Sequence, residues 1–268
     1  MFQKTLTWFI QLTPGIKRRF WKWWYNAFAK RAQDETFKFM NYGYHEPGFN
    51  PPLKELDENE RYPIHLYHHV ATQINITDKT ILEVGSGRGG GASYLTRYLN
   101  PGSYVGIDIS ETAVNLCNDI HHLENLSFQV GDSENIPFED KKFDVVLNVE
   151  SSHCYGDMEK FMGEVTRVLK PGGYFLWCDL RPGNSRKKTE YHLACSGMQL
   201  INKNEITQNI IVALEKMSVD RKSAIKARVP RLVRNIFESY AGVQGSRVHD
   251  SFINGTLIYL SAAMQKPE

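Results

Sequence analysis

The sequence predicts an α/β domain, a parallel sheet with helices on both faces. Three observations predict it. Short apolar runs alternate with amphipathic segments from residue 80 to residue 180. The first run ends in a glycine-rich turn, EVGSGRGGG at 83–91. The chain has 268 residues, 41% hydrophobic and 23% charged, which suffices for one large core with a small cap.

The elements follow in order. Residues 20–40 read as helix. The next stretch, NYGYHEPGFNPPL, is broken by glycine and proline. Residues 58–74 again read as helix, with His65, His68 and His69 about one turn apart. They read as partly solvated helix residues, because no fourth ligand accompanies them. TILEVG (80–85) is a strand-type run and GGASYLTRYL (90–99) an amphipathic helix. SYVGIDI (103–109) is the second strand, ETAVNLCNDIHHL (111–123) a helix and LSFQVGD (126–132) the third strand. FDVVLNVE (143–150) is the fourth, MEKFMGEVTRVL (158–169) a helix and GYFLWCDL (173–180) the fifth. In such sheets ligands sit beyond the carboxyl ends of the strands, so the residues after each strand carry the interest.

Composition narrows the function. A net charge of +2 argues against a nucleic-acid partner held by bulk charge. Four scattered cysteines with no CxxC pair indicate neither a zinc ribbon nor a disulfide framework, and point to a reducing, cytoplasmic setting. No metal motif occurs, so no metal dependence is expected. No run of roughly 18 apolar residues occurs, so no membrane-spanning helix is expected. Residues 1–33 hold seven basic side chains, among them Lys17, Arg18, Arg19 and Lys22, and no acid. Trp8, Phe9, Trp21, Trp23 and Trp24 are interleaved with them. That mixture has two compatible readings, a segment covering the pocket and one touching a membrane surface.

The glycine turn fits GxGxxG through Gly85, Gly87 and Gly90, where the missing Cβ lets backbone approach a ligand. Its surroundings decide between cofactors. Glu83 lies two residues before the first glycine, and Asp108 ends the second strand, placed to accept from a ribose diol. GDSENIPF (131–138) follows the third strand, where Asp132 suits an adenine amino group and the Ser133 N–H a ring nitrogen. VLKPGGYF (168–175) is a helix, a turn and a strand. A nicotinamide dinucleotide site would share the glycines and the acid, but not the last two motifs.

These four motifs together resemble the class I S-adenosylmethionine-dependent methyltransferases. The resemblance covers roughly 75–205 and a last strand near 252–264. It implies a Rossmann-like seven-stranded sheet whose final strand is antiparallel. GMQLINKNEIT (197–207) then reads as the sixth strand and FINGTLIYLSAAM (252–264) as the seventh, with a helical cap between them. It implies S-adenosyl-L-methionine as cofactor, held by Glu83, Gly85, Ser86, Gly87, Gly89, Asp108, Ile109, Asp132, Ser133 and Asn148. The implied organisation is an N-terminal helical, aromatic segment at 1–57, a core at 58–207, a cap at 208–250 and the final strand at 251–268.

NVESSHCYGD (148–157) follows the fourth strand, which in this fold lies beside the methyl group. Methyl transfer to a hydroxyl needs alignment and a base. His153 is the candidate base, since imidazole titrates near ~6.5. Glu150 can orient His153, position the acceptor or face the sulfonium. Asp179, in WCDLRP, is aimed at the same region and can pair with the histidine or only with Arg181. Arg88, Tyr94 and Tyr42 are lesser candidates.

Longer strings, NVESSHCYGDMEKF, LEVGSGRGGGASYLTR, IHLYHHVATQ and DLRP, are similar to the mycobacterial phthiotriolone and phenolphthiotriolone dimycocerosate methyltransferases. Residues 1–40 and about 208–250 depart from them. The resemblance implies O-methylation of a hydrophobic small molecule, lipid or polyketide-like, with His153 and Asp179 near the acceptor. Two rivals stand beside it, C-methylation of a sterol or isoprenoid and a lipid-binding peripheral membrane protein on the same scaffold. Oligomeric state is left open.

Overall fold

The computed structural model describes residues 38–228, 231, 234, 238 and 241–268. The basic aromatic segment 1–33 and nearly all of the helix expected over 20–40 lie outside them. Residues 38–40 are not helical.

Seven strands form one sheet in the order β3-β2-β1-β4-β5-β7-β6. These are β1 (Thr80–Val84), β2 (Ser103–Asp108), β3 (Leu126–Val130), β4 (Phe143–Val149), β5 (Leu169–Pro182), β6 (Gln199–Glu205) and β7 (Leu257–Gln265). β1 to β5 are parallel, while β7 runs antiparallel to both β5 and β6. This is the expected seven-stranded order reversal, and its switch point lies between β1 and β4.

The strand periodicity explains the layering. Ile81, Val145 and Leu147 bury on one face with Ile64 and Val70 of α1 (Arg61–Ala71) and Leu95 of α2 (Gly90–Leu99). Their neighbours Leu82 and Val146 bury on the other, with Phe161 and Val165 of α4 (Met158–Val168). Period-two side chains buried on both faces are what a central parallel strand between helix layers requires. α3 (Glu111–Ile120) connects β2 to β3, and Ser110 caps it by accepting from Ala113 N.

The structure corrects two expectations at the edges and agrees with the helical cap. A helix, α5 (Arg186–Ala194), stands between β5 and β6 where none was expected. The cap region begins with one long helix, α6 (Thr207–Arg228). The last strand begins at Leu257 rather than Phe252, because Phe252 belongs to α7 (Arg247–Ile253). Ser246 caps α7, and Gly255 at φ +73° then makes the turn into β7. Apolar residues on both sides of that turn read as one run. Among the described residues, no helix is long and apolar enough to cross a membrane.

Candidate active site

A cleft opens at the carboxyl ends of β1, β2 and β4. The turn after β1 forms one wall. Gly85, Gly87 and Gly89 all have left-handed φ, at +79°, +55° and +73°. A Cβ on Gly85 would overlap Ser151 Oγ, and one on Gly87 would stand 2.8 Å from Met40 Cε. The turn is tied to β2. Gly85 N and Ser86 N donate to Ile107 O at 2.8 and 3.0 Å. Asp108 accepts from Gly87 N at 3.0 Å and Ser110 N at 2.9 Å. Burial pushes the Asp108 carboxyl up despite these bonds.

Gly85, Ser86, Gly87, Asp108 and Ile109 line the cleft, and Asp132 and Ser133 join them after β3. Three residues that the resemblance points to do not line it. Glu83 is fully buried beneath the turn, accepting from Tyr67 OH at 2.8 Å and Tyr104 OH at 3.0 Å. Burial lifts its pKa to about 7. Gly89 faces Phe128 and His121. Asn148 is buried, and its amide donates to Val84 O at 2.8 Å and reaches Ser151 Oγ, so it anchors the loop after β4. All three shape the wall from behind.

The loop after β4 forms the opposite wall. A 3-10 turn, Ser152–Cys154, presents His153 to the cleft. Asp179, fully buried on β5, bonds His153 twice, to Nδ1 at 2.8 Å and from the backbone N–H at 2.7 Å. Asp179 also accepts from Ser152 Oγ at 2.6 Å and Leu180 N at 2.8 Å, and pairs with Arg181 at 2.9 Å. Ser152 Oγ in turn accepts from Trp177 Nε1 and Arg181 Nη2, at 2.9 and 2.7 Å. Burial pushes the Asp179 carboxyl up, but Arg181, His153 and these donors outweigh it and hold it well below the carboxylate range. For His153 burial opposes charging; Cys154 and Asp179 outweigh it and raise the imidazole well above its ordinary value.

Glu150 lines the same cleft but does not bond His153; Asp179 does that. Its Oε2 accepts from Tyr42 N at 2.9 Å and Tyr259 OH at 2.7 Å. Burial lifts it to about 7. Tyr42 and Arg88 both line the cleft, whereas Tyr94 is core, its hydroxyl 2.7 Å from His68 Nδ1. The remaining histidines of α1 pack against rings: His69 stacks on Tyr44 at 4.2 Å and His65 meets Phe49 edge-on.

Glu134 and Tyr155 also line the cleft, although neither stands out in the sequence. Glu134 Oε1 accepts from Gly156 N at 2.9 Å and Asp157 N at 3.0 Å, binding the loop after β3 to the loop carrying His153. Tyr155 OH stands 2.7 Å from Ser151 Oγ. Glu134 lies inside GDSENIPF, so its motif was visible although its partners were not.

Comparison with known proteins agrees with this architecture. Residues 77–228 match the model of a methyltransferase domain family. The chain is 40% identical over 243 residues to the phthiotriol/phenolphthiotriol dimycocerosates methyltransferase of Mycobacterium tuberculosis, covering 90% of each. It is 39% identical over 244 residues to the fatty-acid O-methyltransferase of Mycolicibacterium smegmatis, covering 91% of this chain and 88% of that one. With so much of the chain aligned, most of the two segments expected to depart from the lipid enzymes falls inside the match. The geranyl diphosphate C-methyltransferase of Streptomyces coelicolor A3(2), solved with Mg²⁺, geranyl diphosphate and S-adenosyl-L-homocysteine, shares the fold. Its TM-score is 0.68 at 16% identity, over 95% of this chain and 98% of that one. The match to the family model, the identity to curated methyltransferases and the sheet order agree, and the chain belongs to the class I S-adenosylmethionine-dependent methyltransferases.

Proposed function

We propose that this methyltransferase transfers a methyl group to a hydroxyl oxygen of a hydrophobic small molecule, lipid or polyketide-like, with His153 as the base. The observation that carries the reading is the 2.8 Å bond between His153 Nδ1 and the fully buried Asp179. A carboxylate on Nδ1 sets the tautomer and leaves Nε2 as the proton-accepting nitrogen. The phthiotriol/phenolphthiotriol and fatty-acid enzymes it resembles support a lipid-like acceptor.

The residues present fit S-adenosylmethionine. The wall after β1 is bare backbone where any Cβ would collide, Asp108 offers carboxylate lone pairs, and Ser86 Oγ is buried without a partner among the described residues. Asp108 would hold the ribose, Asp132 and Ser133 the adenine, and the glycine turn the amino-acid portion. Bound there, the cofactor supplies an electrophilic methyl. The chain itself aligns the acceptor, excludes water and removes one proton. His153 takes that proton from the acceptor hydroxyl, and Asp179 stabilises the resulting imidazolium. Asp179 thus acts through His153 and is a positioning residue.

The decisive experiment offers isotopically methyl-labelled S-adenosylmethionine with hydroxylated lipids, each beside its O-blocked analogue. Label on the free alcohol alone supports oxygen as acceptor. Label on both favours carbon and removes the need for His153 as base. The basic aromatic segment 1–33 supports a second part of the proposal, that the enzyme meets its acceptor at an anionic membrane surface. Replacing Lys17, Arg18, Arg19 and Lys22 by Gln in the full chain should abolish co-sedimentation with phosphatidylglycerol vesicles. Undiminished sedimentation would end that part.

A further inference from the structure

We infer that Glu150 is a positioning residue whose carboxylate fastens a strap, residues 38–46, over the cofactor cleft. The inference rests on the cofactor reading above. The strap has no regular structure, so side contacts hold it. Its outer part is stitched to helices. Tyr44 N donates to Tyr62 O at 2.9 Å, His45 N to Asn209 O at 3.2 Å, and Arg221 Nη2 to Asn41 O at 2.9 Å.

Its inner part roofs the glycine turn. Met40 Cε stands 2.8 Å from where a Cβ on Gly87 would be, and Lys38 O 2.5 Å from where one on Gly90 would be. Tyr42 N to Glu150 Oε2, at 2.9 Å, ties this roof to the carboxyl end of the sheet. The same oxygen accepts from Tyr259 OH at 2.7 Å, so the loop after β4, strand β7 and the strap meet on one atom. Glu150 holds this geometry from a left-handed backbone, φ +49°, which a non-glycine residue adopts only at a cost. Glycine would relieve the backbone and leave both donors without their acceptor.

Because both bonds end on Oε2, a neutral amide oxygen can accept them both. Glu150→Gln therefore keeps the fastening and removes the charge, while Glu150→Ala removes both. The test measures affinity for S-adenosylmethionine and for S-adenosylhomocysteine by calorimetry on the full chain, with amide exchange over 41–45. Glu150→Gln is expected to bind both ligands within about threefold of wild type. Glu150→Ala is expected to bind both roughly tenfold more weakly, with faster exchange at the Tyr42 amide and KM for the cofactor raised more than kcat is lowered. Tyr259→Phe, which removes only a hydroxyl, should fall between them and serves if the alanine variant does not fold.

Loss in Glu150→Gln equal to that in Glu150→Ala would overturn the inference. If that loss struck S-adenosylmethionine alone, the charge facing the sulfonium would be the cause. Wild-type affinity in Glu150→Ala would overturn it as well. A wild-type protein that binds neither ligand would count against the cofactor reading instead. Exchange at the Tyr42 amide, compared between ligand-free wild type and Glu150→Ala, would still decide the fastening.

Discussion

His153 and Asp179 are 26 positions apart, and only a parallel ladder brings them into contact. Asn148 pairs with Trp177 and Val149 with Cys178, so residue 153 comes back over residue 179. The proposed base role of His153 predicts a pH profile. His153 titrates well above its ordinary value, and it accepts a proton only once neutral. The acid limb of kcat/KM should therefore lie above ~6.5. Asp179→Asn removes the negative charge and should move that limb to lower pH while lowering kcat. An unmoved limb would show that another group is the base. His153→Gln should lower kcat about 10²- to 10⁴-fold with cofactor affinity retained, as single-turnover kinetics and calorimetry will show. Asp179→Asn carries a stability penalty as well. Its NH2 would replace an oxygen that now accepts from a donor set including Ser152 Oγ, His153 N, Leu180 N and Arg181, and breaking such a buried set costs about 3–5 kcal/mol in denaturant unfolding. The sign over pH follows. Asp179 has a depressed carboxyl, so its contribution is present above ~3.9 and fades as pH falls toward its folded value.

At the scale of elements, the turn after β1 and the loop after β4 are one mechanical unit. Gly85 lies against Ser151, and Ser151 is held by Asn148 and Tyr155. Gly85→Ala should therefore disturb both walls. A side chain at φ +79° with no room should cost about 1–3 kcal/mol of stability and weaken S-adenosylmethionine binding together, measured by unfolding and calorimetry. Intact binding with reduced stability would show the walls to be independent. Elements with a clear period were legible in the sequence: α2 spans Gly90–Leu99 and β4 begins at Phe143, as expected. The failures lie where patterning is weak. α5 carries RKKTEYHLA, almost without an apolar face, and was passed over. β6 is no failure, since it falls within the expected 197–207, but every one of its residues is exposed, so its position rests on pairing with β7 rather than on its own hydrophobicity.

Across the whole molecule, the cleft is closed by segments far apart in the chain. Arg221 of α6 donates to Asn41 O of the strap at 2.9 Å and to Ala241 O at 2.6 Å, with burial opposing its charge. Arg221→Met should cost about 1–3 kcal/mol and speed amide exchange in the strap. Unchanged exchange there would mean that α6 and the strap are held separately. Short-range chemistry was enough for the family and the sheet, because glycine turns, strand-ending acids and apolar periods act over a few residues; it brought most of the expected wall residues to the cleft, but not Glu83, Gly89 or Asn148. Asp179 and His153 were visible as candidates for the same reason. Their bond needed the folded ladder. So did the inward, tyrosine-bonded place of Glu83 beneath the wall and the junction of Glu150 with Tyr42 and Tyr259. Such contacts span tens to more than a hundred positions, and only the packing of the sheet against its helices sets which side chains meet.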